Sequence, residues 1–311
     1  MDLIGVPFDY CGYRPGSRLG PAALRLAELD VTALDLGLDF RDHGDVSVPH
    51  ASQGQRSLKQ FAPLMQTLKR LMGEVDSSLS NQRIPLVVGG DHSISIGSVS
   101  AALNHFGDDM ALIWVDAHAD LNTPDTSPSG NIHGMTIGAL MSEPTTVKGI
   151  QGDQWERLCG LSKTPLKPQN AGWIGLRSVD AGESMRLKRK QTGYVSTMND
   201  IDRQGLVFEI ERMHKWLLAT KCKRVWLSFD VDVLDPILAP GTGTAVRGGL
   251  SYREMHLLAE VFHEYLATGN YQLAGMDVVE INPLVDSYNA TAKVAVEFIG
   301  SLFGKTILGN K

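Results

Sequence analysis

Cysteine is scarce in this chain: three residues in 311, Cys11, Cys159 and Cys222, none in a Cys-x-x-Cys pattern. An odd, widely spaced set argues against a disulfide scaffold or a thiolate metal site and fits a reducing compartment. Long apolar runs are missing as well. No stretch reaches the roughly 18 consecutive apolar residues of a membrane-spanning helix, and the start, MDLIGVPF, lacks a basic leader and reads as a strand. Basic charge is not in excess, because 29 Lys and Arg stand against 35 Asp and Glu for a net charge of −6. That balance argues against nucleic acid or acidic membranes as partners and suits a cationic small molecule. The expected location is the cytoplasm. The Gly/Pro-rich stretch from Gly12 to Pro21 lacks a Gly-Lys-Ser/Thr ending, so it reads as a helix start at Pro21 rather than a phosphate loop. No low-complexity linker or fixed repeat divides the chain, and residues 1–311 are expected to form one domain.

What is present is an alternation of strands and helices. Apolar runs at Ile84–Val88, Met110–Val115, Ala171–Leu176, Arg224–Phe229 and Leu273–Val279 read as strands buried on both faces. Helical spacing covers Gln55 to about Asn81, the small residues up to His105, His133–Met141, Asn199–Ala219, Tyr252–Leu266 and Ala290–Phe303. A further helix after Asp180 carries Arg186-Leu-Lys-Arg-Lys190, expected as a solvated face. Leu34–Leu36 and Val46–Val48 suggest a minor strand and a connector, and Pro144 to Pro168 has no sustained period. The alternation implies an α/β fold: a mostly parallel, doubly wound sheet with helices on both faces.

The polar residues fall in a telling place. Asp91-His92, Asp116-x-His118-x-Asp120, Arg177 to Asp180, Asp230-x-Asp232 and Glu280 each follow an apolar run. In an open α/β sheet the carboxyl ends of the strands form the ligand crevice, so these tips should meet. Asp116, His118 and Asp120 alternate, and in an extended chain they would point to one side.

His92, Asp116, His118, Asp120, Asp230 and Asp232 together offer two imidazoles, four carboxylates and no thiolate. So many ionisable groups in one crevice would repel or desolvate one another without a cation. The oxygen-rich set suits Mn²⁺, or Co²⁺ or Fe²⁺, better than a structural zinc, and its size fits two ions sharing bridging carboxylates around a hydroxide. Two divalent ions balance the four aspartates, and a bridging hydroxide with Glu280 nearby leaves the site slightly negative. Such a site favours a cationic electrophile. His133, thirteen residues beyond Asp120, can act as a general acid or base beside the ions, or be a helix-start histidine bonding a backbone carbonyl.

Gly89-Gly-Asp-His-Ser93, Asp116-Ala-His-Ala-Asp120, Ser129-Gly-Asn-Ile-His-Gly134, Ser228-Phe-Asp-Val-Asp232 and Glu280-Ile-Asn-Pro283 resemble the ureohydrolase family, and within it the arginases, over nearly the whole chain. The resemblance implies a three-layer αβα fold of the arginase/deacetylase type and a pair of Mn²⁺ ions on the six residues above, with Asp116 and Asp230 bridging. It implies hydrolysis of L-arginine to L-ornithine and urea by a metal-bridging hydroxide. His133 would shuttle protons, Asp120 would help move a proton to the leaving amine, and Glu280 would hold the guanidinium. Asn122, Ser127, Ser129 and Asn131 would surround the substrate α-carboxylate, Asp180 would take the α-amino group with Glu183 behind it, and Thr244 would lie near the guanidinium. A homo-oligomer, trimer or hexamer, is implied as well.

Val233, Thr136 and Ala245 depart from the common arginase pattern of glycine, proline and proline, which puts loop geometry in question. Rival readings are an agmatine or guanidinobutyrate hydrolase, a one-zinc amide hydrolase on a related fold, and a catalytically silent binding protein. The polar loop Asn122–Asn131, useful only for a substrate with an amino-acid end, favours the arginase reading over the first.

Overall fold

Met110, Leu112 and Trp114 enter one hydrophobic cluster while Ala111, Ile113 and Val115 enter another, so the strand they form is covered on both faces. Such alternation needs a helical layer on each side of the sheet. The computed structural model describes residues 1–51, 58–189 and 191–309. Among them, eight strands form one all-parallel sheet in the order β2-β1-β3-β8-β7-β4-β5-β6. These are β1 (Asp2–Val6), β2 (Arg41–Asp45), β3 (Pro85–Gly89), β4 (Met110–Val115), β5 (Ala171–Leu176), β6 (Tyr194–Thr197), β7 (Arg224–Asp230) and β8 (Gln272–Val279).

Helices α1 (Gly20–Leu26), α2 (Leu29–Asp35), α8 (Met198–Gln204), α9 (Leu206–Thr220), α10 (Tyr252–Ala267) and α11 (Ala290–Leu302) pack on one face. On the other lie α3 (Phe61–Ser80), α4 (Ser95–Phe106), α5 (Thr136–Leu140) and α6 (Ile150–Cys159), and the short α7 (Ala181–Leu187) follows β5. The result is three layers. No helix among the described residues is long and apolar enough to cross a membrane. Strands β8 and β7 are inserted between β3 and β4, so the strand order turns back there, at the place where doubly wound sheets open a crevice.

Several elements differ from their expectation. Leu34 and Asp35 close α2 rather than starting a strand, and the minor strand is the edge strand β2. Its sequence, RDHGD, is largely exposed, because an edge strand outside the core carries no apolar signal. The opposite edge, β6, has four residues and was not expected. Within the stretch expected to be irregular, α6 buries only Gly152, Trp155 and Leu158, too sparse a stripe to show as a period. The helix expected over Asn199–Ala219 divides at Gly205, whose φ of 86° breaks it into α8 and α9. Helix α3 starts at Phe61, after Gln60 in a left-handed conformation; the first positions of the helix expected from Gln55 lie outside the described residues.

Candidate metal centre

The ends of β3, β4 and β7 turn sharply, and the turns are built by the acidic residues themselves. Asp116 Oδ1 accepts the His118 N–H at 2.6 Å and Asp230 Oδ1 accepts the Asp232 N–H at 2.8 Å. Asp91 caps the short turn His92–Ile94 by accepting the Ser93 N–H, while its other oxygen accepts the Cys11 N–H at 2.8 Å. The segment 116–120 is therefore bent rather than extended, and Asp120 sits at φ 48°. Convergence comes from these turns, not from the alternation of a strand.

Two groups result. His92 Nδ1 lies 3.1 Å from Asp116 Oδ2, 3.1 Å from Asp230 Oδ2 and 3.3 Å from Asp120 Oδ2. His118 Nδ1 lies 3.4 Å from Asp116 Oδ1 and 3.0 Å from Asp232 Oδ2. His92, Asp116 and Asp230 can hold one cation, and Asp116, His118 and Asp232 a second. Asp116 belongs to both groups, one oxygen in each. Asp230 falls in the first group, and its Oδ1, like Asp116 Oδ1, also accepts a backbone N–H, here that of Asp232.

The donor set fits divalent cations on a specific observation. His92 Nδ1 and Asp116 Oδ2 are fully buried and have no hydrogen-bond partner among the described residues, although they face each other. Orphaned atoms of this kind are costly unless a ligand joins them. The rest of His92 is fixed: Nε2 lies 2.9 Å from Ser228 Oγ and the ring stacks on Trp114 at 3.9 Å. Such support of the distal ring nitrogen is what orients a metal-ligating histidine. Burial and the neighbouring carboxylates push Asp230 and Asp120 well above the ordinary carboxylate range, and Asp232 upward too. Burial opposes charge on His92 and His118, but contacts with the surrounding aspartates outweigh it and raise both. Four carboxylates with two imidazoles as their nearest cations form a cluster short of positive charge.

Beside the cluster, His133 Nδ1 lies 2.9 Å from Glu280 Oε1, which also accepts the His92 N–H at 3.0 Å. Burial disfavours the charged ring, yet the bond to Glu280 raises the His133 pKa. His133 thus bonds a carboxylate rather than a backbone carbonyl.

A cleft of about 240 Å³ opens over the cluster. His118, Asp120, Asp230, His133, Asn122, Ser127, Ser129, Asp180, Glu183 and Thr244 line it, whereas His92, Asp116, Asp232, Asn131 and Glu280 are buried and not part of its lining. Larger hollows of about 840 and 870 Å³ have none of the expected site residues in their lining, and one of about 460 Å³ has Thr244 alone of them. Asn122 Nδ2 donates to Asp180 Oδ2 at 2.6 Å, and Asp180 and Glu183 cap α7 reciprocally. Burial lifts Glu183 to about 7. Ser127 and Ser129 accept the N–H groups of Gly130 and Asn131. Thr244 Oγ1 donates to Asp232 Oδ2 at 2.9 Å, so here it steadies a carboxylate of the cluster.

This arrangement has close counterparts. Residues 1–304 match the profile of the Arginase family. The chain belongs to that family. It is 41% identical to an arginase of Staphylococcus aureus over 99% of this chain and 98% of that one. The crystal structure of arginase from Bacillus subtilis superposes with a TM-score of 0.86 at 38% identity, covering 98% of this chain and 99% of that one. Arginase from Bacillus caldovelox gives a TM-score of 0.88 at 36% identity, covering 98% of both chains.

Two of the three departures from the arginase pattern have a structural account. Val233 is fully buried, and a Cβ at Gly175 (φ +98°) would lie 2.4 Å from its Cγ2, so a glycine on β5 makes the room the valine uses. Thr136 donates towards the carbonyls of His92 and His133, at 3.2 and 2.9 Å, bonds that a proline cannot make. Nothing in the structure explains Ala245. Sequence reading assigned no role to three groups that shape this arginase-family site. Arg177 donates to the carbonyls of Asp232, Val233 and Leu234 and holds the turn after β7. Lys59 donates to Ser129 O and Asn131 Oδ1. Arg186, expected on a solvated face, is mostly buried against Glu143, which also binds Arg189; the Lys190 side chain lies outside the described residues. An arginine next to a strand end was the visible signal for Arg177, but the partners of Lys59 and Arg186 are distant in sequence.

Proposed function

We propose that the chain is a manganese-dependent arginase, hydrolysing L-arginine to L-ornithine and urea as a single domain spanning 1–311. The observation that carries this reading is the placement of two His/Asp groups sharing Asp116 beneath a cleft walled by Asn122, Ser127, Ser129 and Asp180. Its named relatives support it. A cytoplasmic location is proposed on the scarce, widely spaced cysteines, and a homotrimer or homohexamer on the family resemblance.

His92, Asp116, His118, Asp120, Asp230 and Asp232 would hold two Mn²⁺ ions, with Co²⁺ or Fe²⁺ as substitutes. When bound, the ions supply the charge that makes hydroxide available at neutral pH. The protein does the rest. Asn122, Ser127, Ser129 and Asn131 offer polar groups around the α-carboxylate, and Asp180, backed by Glu183, takes the α-amino group. Glu280 keeps His133 with one oxygen, and its Oε2, on the side of Gly243, is left for the guanidinium. His133 carries a proton at the cleft wall that the departing ornithine amine requires, and Asp120, which lines the same cleft, would help move it. Thr244 keeps Asp232 in register.

The test is urea release from L-arginine against agmatine, with manganese content measured on the same sample. About two manganese per chain and a strong preference for L-arginine are expected. Preference for agmatine would make the chain an agmatine hydrolase, one zinc per chain would favour the amide-hydrolase reading, and no urea across pH 7–10 would point to a silent homologue.

A further inference from the structure

We propose that Arg186, which does not line the cleft, fixes the hydrogen-bond polarity of the loop that reads the amino-acid end of the substrate, and is a positioning residue for α-carboxylate selectivity. This rests on the arginase reading above. Thr126 Oγ1 accepts the Thr123 N–H at 3.1 Å and the Arg186 Nη1 hydrogen at 3.1 Å. A hydroxyl has one proton and two acceptor positions, and a guanidinium or an amide N–H can only donate. The Thr126 proton must therefore go outward, to Asn122 Oδ1 at 2.8 Å; the competing contact with Thr123 Oγ1 is longer, at 3.4 Å.

That step holds the Asn122 carbonyl end from one side as the acceptor-only Asp180 carboxylate holds its nitrogen end from the other. Its carbonyl is committed to Thr126, and its nitrogen donates to Asp180 Oδ2 at 2.6 Å. One amide hydrogen remains beside the cleft for an anionic group, while Asp180 is held where an ammonium can reach it. The chain Arg186 to Thr126 to Asn122 to Asp180 thus presents a donor next to an acceptor, the pattern an α-amino acid needs.

Arginine is required for this geometry. Its fork reaches Thr126 with Nη1, Thr123 Oγ1 with Nη2 at 3.2 Å and buried Glu143 with Nε at 3.3 Å. A lysine has no such planar reach. Gly182 permits the approach of α7, since a Cβ there would stand 2.9 Å from Thr126 Cβ. Arg189 supplies a built-in control: it binds the other Glu143 oxygen at 2.7 Å and is half exposed, with no hydrogen bond to the loop among the described residues.

Steady-state kinetics on L-arginine and agmatine, with calorimetric binding of L-ornithine, would be measured for the manganese-loaded wild type and variants. Arg186→Gln should raise KM for L-arginine and Kd for ornithine roughly ten-fold, the scale of a lost charge-assisted hydrogen bond, with kcat changed at most about two-fold. Its kcat/KM on agmatine, which lacks the carboxylate, should not move. Arg186→Lys should recover only part of the loss, and Arg189→Gln should behave as wild type. Because Arg186→Gln removes a partner from buried Glu143, Thr126→Val carries the test should that variant misfold, and Thr126→Ser should restore ornithine binding.

Equal losses on arginine and agmatine, or an Arg189→Gln variant as impaired as Arg186→Gln, would overturn the proposal by assigning Arg186 a general structural role. So would unchanged KM in a wild-type background that does hydrolyse arginine. A wild type that hydrolyses no arginine defeats the functional reading instead, and ornithine binding still reports on Arg186 separately.

Discussion

The chain that leaves β4 passes through two regions of opposite character within twenty residues. From Asp116 to Asp120, together with His92, Asp230 and Asp232, carboxylates and imidazoles crowd one another, and His92 Nδ1 and Asp116 Oδ2 are buried with no hydrogen bond among the described residues. From Asn122 to Asn131 the polar side chains are tied to the framework: Asn122 to Asp180 and Thr126, Ser127 and Ser129 to backbone amides, Asn131 to Lys59. The first region is incomplete without added charge, and the second is already set. Chemistry that depends on a strong electrostatic source needs atoms left open for it, whereas recognition benefits from groups whose orientation costs nothing at binding.

The sharpest way to break this contrast is to remove the residue common to both cation groups. Asp116→Ala should abolish manganese retention and lower kcat/KM at least about a thousand-fold, because a metal centre contributes several kcal/mol to the transition state. The same variant should lose the thermal stabilisation that manganese gives the wild type, read as a melting temperature insensitive to chelator. Retained manganese with full activity would show that the crowding is ordinary structure. Next in size is His133→Asn, expected to cost roughly 10²- to 10⁴-fold in kcat with manganese content unchanged, the usual range for a general acid or base. Loss of metal from that variant would place His133 in the first region and not beside it.

A pH measurement tests whether the reading loop is as settled as its bonds suggest. Glu183 joins the loop to α7 by accepting the N–H groups of Leu121 and Asp180, and burial raises it from 4.5 to about 7. A folded-state pKa above the unfolded one means the folded state holds the proton more tightly. Glu183 therefore contributes most favourably below pH 4.5, and that contribution is lost as pH rises to 7, on the order of 3 kcal/mol in total. Chemical denaturation of the metal-free protein should show stability falling over that window, and Glu183→Gln should remove this part of the slope. Identical slopes in both proteins would show that the carboxylate is not strained by burial.

Thr244→Val probes the seam between the regions, since Thr244 lines the cleft yet bonds Asp232 at 2.9 Å. Manganese affinity should fall about 10- to 100-fold, the range for lost support of a metal-ligating carboxylate. A pure rise in KM at unchanged metal affinity would move Thr244 to the reading side.

How much of this was visible in the sequence follows the same division. The crowded region was legible because charged residues directly after apolar runs are improbable unless the strand ends meet, and β3, β4, β5, β7 and β8 do bring theirs together. The manner of meeting was not: bends made by Asp116 and Asp230, not strand alternation, aim the side chains. The edge strand β2 and the sparse helix α6 escaped because neither buries a periodic face. In the reading loop the contacting residues could be named from the family motif, but their supports could not. Arg186 reaches across 60 residues to Thr126, and Lys59 across 72 to Asn131. Nothing local in a sequence marks such partners.

Lys59 gives the mildest test and the most informative one about pre-setting. Its ammonium donates to Ser129 O at 2.6 Å and to Asn131 Oδ1 at 2.7 Å, clamping the far end of the loop from outside, and its own carbonyl is approached by the Cys11 thiol at 3.4 Å. The side chain is exposed, so water competes for both acceptors and the interaction is worth less than about 1 kcal/mol. Lys59→Ala should accordingly raise KM for L-arginine by no more than roughly five-fold and leave kcat and manganese content unchanged. A loss as large as that of Thr244→Val would mean that the loop is assembled by Lys59 rather than merely steadied by it, and the reading region would then be no more pre-set than the cation groups.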